Sequence, residues 1–295
     1  MNKLKHLIVI PTGGLCNRLR VIASVLKVVD TSKTKVEIFW HKNEECFCDF
    51  EDILQPIENV TICNSPKGVF YKKPEKRNLY LPVLINFIFN PTVKYLYELS
   101  YVWDGTFIKE ILFFISKKLN LQKKNKKSNN VRKLMNHKKV IITTCQPIVS
   151  DYNLSIFHPS TTVDLKLQET KKMFFENNTI LGCHIRRTDN IQSINNSPDD
   201  LFISKVRKYI QENESALVYL ATDDNSIKEK FKKTFGGGKV FTLDIPLNRN
   251  TVEGMIYATV ELFLLSICSR IYGSFYSSFS YEASKINGIP LEIIQ

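Results

Sequence analysis

Two adjacent arginines, Arg186 and Arg187, follow directly on an apolar run at residues 179–185. Such a pair would be costly if buried without acceptors. A bound diphosphate would supply them, because the planar guanidinium fork matches phosphate oxygens. In the same segment His184 is a candidate positioning donor, and Asp189 could neutralise or orient one arginine. The competing reading is a salt-bridge cluster with no ligand.

Three other polar stretches follow apolar runs. Thr222, Asp223 and Asp224 come after residues 216–221, where an acid can cap the next helix. Ser277, Ser278 and Ser280 come after residues 270–273 and offer hydroxyls and backbone donors at a helix start, a place that can receive phosphate. Near the amino terminus, Gly13 and Gly14 are followed by Asn17, Arg18 and Arg20. That turn permits close backbone approach to an anion. It is neither GxGxxG nor GxxxxGK[ST], so neither nucleotide fingerprint applies.

The elements that must position these residues alternate. Strands are expected at 6–10, 35–40, 60–63, 140–145, 179–185, 216–222, 239–243 and 270–273. Helices are expected at 17–29, 81–99, 106–119, 165–175, 201–211, 226–235, 251–268 and 280–286. This alternation predicts an α/β protein with parallel sheets covered by helices. Loops at the strand ends then lie where ligands normally bind. Two domains are expected, 1–155 and 156–295, the second beginning in a connection around 147–165.

At 295 residues and 43% hydrophobic content the chain can build a large core, which excludes wholesale disorder. Seven cysteines without regular spacing suit reduced thiols in a cytoplasmic setting. The opening residues run into 7–10, too short for a leader, and are read as a first buried strand. The formal charge of +12 is local, since ten lysines and arginines lie within 117–139 with no acid among them. That run is a solvated linker or a patch for the anionic inner face of a membrane. No nucleic-acid module accompanies it. His137 and the Cys46-Phe-Cys48 pair lack the partners a metal site needs.

The segment His184 to Asn190 resembles the HxRRTD motif of the α-1,6-fucosyltransferase superfamily, with its nodulation and protein O-fucosyltransferase relatives. Gly14 to Arg20 is similar to the GxGNRLR-type loop of that family. Residues 219–224 and the Ser277-Ser278-Phe279-Ser280 stretch resemble two further segments, and residues 254–266 look like the helix before the last motif, with Glu261 where an acid is often found. The resemblance implies a GT-B-like fold, two Rossmann-like domains facing across a cleft. It implies a GDP-fucose donor bound mainly by the C-terminal domain and an acceptor-side N-terminal domain. It also implies inversion at the anomeric carbon without a divalent metal or other cofactor.

On that resemblance Arg186 is the catalytic residue that holds the donor β-phosphate and stabilises the leaving GDP. His184 and Arg187 arrange the nucleotide, while Gly14, Asn17, Arg18, Asp189, Asp223, Asp224, Ser277, Ser278 and Ser280 complete the donor site. Glu44, Glu45, Asp49 and Asp104 are candidate acceptor bases. The acceptor is a glycan or a lipid-linked oligosaccharide. Two alternatives remain: a transferase using another GDP-sugar, and a non-catalytic carbohydrate- or membrane-binding protein of the same fold.

Overall fold

The computed structural model describes residues 4–64, 138–176, 178–188, 190–245 and 248–295, and the backbone of four short strands between 70 and 103. The expected helix at 106–119 and the basic run at 117–137 lie outside the described residues. The chain divides into two compact units, Met1–Phe50 with Pro56–Ile156, and Glu51–Gln55 with Phe157–Gln295.

The first unit is a six-stranded sheet. Its strands are β1 (His6–Pro11), β2 (Lys35–Trp40), β3 (Val60–Asn64), β6 (Val93–Leu96), β7 (Tyr101–Trp103) and β8 (Lys139–Thr144), ordered β3-β2-β1-β8-β6-β7. All neighbours are parallel except β6 and β7. β4 (Phe70–Lys73) and β5 (Lys76–Tyr80) form a separate antiparallel pair. β6 corrects the helix expected over 81–99: Val93-Lys-Tyr-Leu suits a pleated surface, and pairing along the β8 edge overrides local helical pattern. Between β1 and β2 runs α1 (Leu15–Leu26). Its stripe of Leu15, Leu19, Ile22 and Ala23 is buried. Gly13 enters this turn with φ +83°, a conformation in which a side chain would be strained.

The short α2 (Phe50–Ile53) carries the chain into the second unit, within which Ser160 N–H donates to Ile53 O and Ser160 Oγ–H to Asp52 O. There α3 (Thr161–Thr170) starts at Ser160, whose Oγ accepts the Val163 N–H, and continues into a π-helical turn at Lys171–Phe175. The helix expected from residue 165 begins four residues earlier, where the Ser160 cap fixes its first turn. The remaining elements are β9 (Ile180–Ile185), α4 (Ile191–Asn196), α5 (Asp199–Glu212), β10 (Leu217–Thr222), α6 (Asn225–Phe235), β11 (Val240–Phe241), α7 (Val252–Ser266), β12 (Arg270–Ser274), α8 (Ser278–Asn287) and β13 (Leu291–Ile294).

Their five strands are all parallel in the order β11-β10-β9-β12-β13. Leu181, Cys183 and Ile185 bury one face of β9 with Phe202 and Val206 of α5 and with Ile227 and Phe231 of α6. Each such side chain contributes about 1.5–3 kcal/mol by leaving water. On the opposite face a Cβ at Gly182 would meet Leu265 and Cys268 at 3.1 Å, and one at Gly273 would meet Ser280 Oγ at 2.4 Å. The two glycines let α7 and α8 lie close against the sheet. The carboxyl ends of β9, β10 and β12 are therefore neighbours, and each is followed by a polar loop.

Candidate functional site

At the end of β9, Arg186 is the first residue past the sheet. Its N–H donates to Ser274 Oγ on β12 (3.0 Å), and Ser274 Oγ–H donates to His184 O (3.3 Å). Its guanidinium meets Asp223 Oδ2 at 2.8 Å, with the arginine side chain 26% exposed. Asp223, just past β10, also accepts from Arg187 N–H (2.7 Å), Thr188 N–H (3.2 Å) and Thr188 Oγ–H (2.6 Å). One carboxylate thus fixes three consecutive residues of the 186–188 loop and holds Arg186 in place. Asp223 acts here as an orienting group for the arginine.

Arg187 behaves differently from the expectation that it contacts phosphate. Its side chain is 10% exposed and turned onto the chain itself. Nε donates to Asp199 Oδ1 (2.9 Å), Nη2 donates to Asp199 Oδ1 (2.6 Å) and Ser197 O (2.8 Å), and Nη1 donates to Arg186 O (2.9 Å). Asp199 opens α5, where its charge suits the helix dipole, and Lys230 of α6 joins it at 3.1 Å. The pair seen in sequence divides into one partly exposed arginine paired with Asp223 and one that ties the loop to α5.

His184 is buried on the face under α8, stacked on Phe279 with ring centroids 4.9 Å apart. Burial, reinforced by the Arg186 charge and partly offset by Asp223, pulls its imidazole down to about 3. It is therefore neutral at ordinary pH, and its Nδ1 has no hydrogen-bond partner among the described residues. Ser277 is the N-cap of α8 and makes no side-chain capping bond, Ser278 opens the helix, and Ser280 is buried against Gly273 with its Oγ likewise unpartnered. Asp224, expected in the donor site, caps α6, accepting from Ser226 N–H (2.8 Å) and Ser226 Oγ–H (2.7 Å). Asp189 lies outside the described residues.

The glycine-turn residues belong to the first unit. Gly14 is the N-cap of α1, and Asn17 lies in its first turn, half-buried. Arg18, expected at the donor, is instead fully buried. Nε donates to Gly13 O (2.8 Å), Nη1 to His41 O (2.7 Å) and Nη2 to Asn43 Oδ1 (3.0 Å), and the guanidinium lies 4.8 Å from the Trp40 ring centroid. It is a scaffold for the turn and for the 41–46 loop. Of the base candidates on that loop, Glu44 is exposed, Glu45 is half-buried with its N–H on Asn43 Oδ1 (2.9 Å), and Asp49 lies 3.9 Å from Lys42. Asp104 is outside the described residues.

One further buried acid lies within electrostatic reach of Asp223. Glu261, inside α7, is 9% exposed, with the Tyr219 hydroxyl beside its carboxyl. Burial pushes the Glu261 carboxyl up to about 8; Lys228 opposes this and Asp223 adds to it. The folded chain therefore keeps a proton that the unfolded chain releases near pH 4.5, and stability falls as pH rises between those values. Below about pH 6.5 buried neutral His184 acts in the opposite sense, so urea melts at pH 6.5, 7.2 and 8 should show this decline, and Glu261→Gln should flatten it. Parallel pH profiles for the two proteins would contradict it.

Among the described residues no group of three or more His, Cys, Asp or Glu side chains is placed to hold a metal ion, and no helix is long and apolar enough to cross a membrane. Two α/β units with parallel sheets, and polar loops on neighbouring strand ends, define a GT-B-like protein.

No protein-family model and no curated protein matches the sequence. Solved structures do match in fold. The α-1,6-fucosyltransferase NodZ, soaked with GDP-fucose, is 15% identical over 96% of this chain and 93% of its own, with a TM-score of 0.57. POFUT1 in complex with GDP-fucose is 8% identical over 100% and 98% with a TM-score of 0.52. An Arabidopsis thaliana FUT1 mutant in complex with GDP is 12% identical over 98% and 70% with a TM-score of 0.56.

Proposed function

We propose that this protein transfers fucose from GDP-fucose to a hydroxyl of a glycan acceptor, inverting the anomeric carbon and using no divalent cation. The observation that carries this reading is Arg186, held by Asp223 at the end of β9 beside the α8 start, whose N-cap serine leaves its backbone donors uncapped. Helix starts of this kind favour phosphate. The fold shared with proteins solved with GDP-fucose and GDP supports the choice of donor.

As the bond from C1 to the β-phosphate oxygen breaks, negative charge grows on GDP. A fixed guanidinium aimed there stabilises the transition state more than the bound donor. His184, being neutral, serves as a hydrogen-bonding and packing group and adds no charge. The proton of the attacking hydroxyl passes to a carboxylate, for which Glu44, Glu45, Asp49 and Asp104 remain the candidates. The basic run at 117–139 is proposed as the contact with an anionic membrane that would bring a lipid-linked acceptor within reach.

GDP release measured with GDP-fucose, GDP-mannose and a soluble glycan panel tests the reaction. Acceptor-dependent release is expected from GDP-fucose in preference to GDP-mannose. A preference for GDP-mannose selects another GDP-sugar, and binding without release across the panel selects a non-catalytic protein.

A further inference from the structure

Tyr276 has a φ of 54°, in the left-handed region where an aromatic side chain is locally strained, and its side chain is 77% exposed. Burial does not hold it there. Hydrogen bonds from its neighbours do. Phe275 N–H donates to Ser197 Oγ (2.7 Å), Ser193 Oγ–H donates to Phe275 O (2.6 Å), and Asn190 Nδ2–H donates to Tyr276 O (3.0 Å). The same α4 that supplies Ser193 exposes Ile191 (70%) and Ile194 (40%). Two residues before Tyr276, Ser274 receives the Arg186 N–H; one residue after it, Ser277 caps α8. The backbone that carries this exposed tyrosine, two positions after the Ser274 that bonds Arg186, is thus held next to Asn190, and exposed Ile191 follows Asn190 in the chain.

We propose that Tyr276 is a stacking platform for a pyranose ring of the acceptor glycan, with Ile191 extending its apolar surface. The assignment rests on the reading that Arg186 holds the donor diphosphate. A pyranose presents a C–H face that packs on an aromatic ring while its hydroxyls stay hydrated, and tyrosine suits such a half-wet position. The attacking hydroxyl must reach the carbon one bond from the phosphate oxygen, so the acceptor approaches beside Arg186. An open platform fits the reactant that arrives from water and returns to it at each turnover. The transferred sugar, in contrast, needs a site that excludes water.

Saturation-transfer NMR on the full chain without donor tests the contact, using soluble oligosaccharides ending in galactose, glucose or N-acetylglucosamine, and calorimetry with GDP runs beside it. Wild type is expected to contact at least one of these sugars. Tyr276→Ala should weaken that contact tenfold or more and raise KM for the same acceptor to match, with kcat and GDP affinity within about twofold; Tyr276→Trp should restore it. Tyr276→Gly, released from the φ strain, should lose the sugar equally yet melt no lower than wild type. An equal fall in GDP affinity, unchanged sugar contact in Tyr276→Ala, or no sugar contact by wild type overturns the platform. A wild type that contacts sugar but ignores GDP sinks the donor reading and leaves the platform in place.

Discussion

Arg186→Ala is expected to lower fucose transfer at least about a hundredfold, the scale of losing one preorganised donor to a developing oxyanion. Its melting temperature should stay within a few degrees of wild type. The structure explains why the two effects separate. The Arg186 side chain is partly exposed, and Asp223 keeps its bonds from Arg187 N–H, Thr188 N–H and Thr188 Oγ–H when the guanidinium is removed. Asp223, 15% exposed, loses its counter-charge but keeps those three hydrogen bonds, which limits the loss of stability. Because the stabilised charge grows in the transition state, kcat should fall more than KM rises. Arg186→Lys keeps a point charge without the planar fork and should fall between the two. Turnover of Arg186→Ala within threefold of wild type would contradict the leaving-group role.

The other two arginines should show the reverse. Arg187→Ala is expected to cost about 3–5 kcal/mol of folding stability, the range for breaking a buried ion pair, and Arg18→Ala about 1–3 kcal/mol for each buried acceptor it leaves without a donor. Without Arg187, the carbonyls of Ser197 and Arg186 lose a donor and Asp199 keeps only Lys230. Without Arg18, the carbonyls of Gly13 and His41 and the amide oxygen of Asn43 lose theirs, and the face of Trp40 loses its cation. Urea unfolding followed by circular dichroism reads the loss directly. A stably folded Arg187→Ala that no longer binds GDP would return that residue to the donor site.

Much of this architecture was legible because it depends on local pattern. Apolar runs such as 179–185 and 216–221 end abruptly in polar residues, which marks both the strands and the loops after them. β13 escaped because Leu291-Glu-Ile-Ile is a short run behind Ile289-Pro290 and is fixed as a strand only by pairing with β12. The site was legible as residue types and not as partnerships. Nothing in the order of residues says that Asp223 reaches back across 37 positions to Arg186, or that Asp199 claims Arg187. Adjacent side chains past a strand end point in different directions, and which acid each meets depends on where β10 ends and α5 begins. Arg18 looked like an anion contact because it follows two glycines, but its burial on Trp40 is set by the β1–β2 packing. Glu261 was visible as an acid in an apolar helix; its raised pKa needs the three-dimensional burial around it.

Calorimetric titration of GDP into the chelator-treated wild type and Arg186→Ala proteins tests the central claim most directly. One GDP per wild-type chain is expected, with affinity at least tenfold weaker in the variant. A folded wild type that takes up no GDP, or two proteins that bind it equally well, would contradict the account.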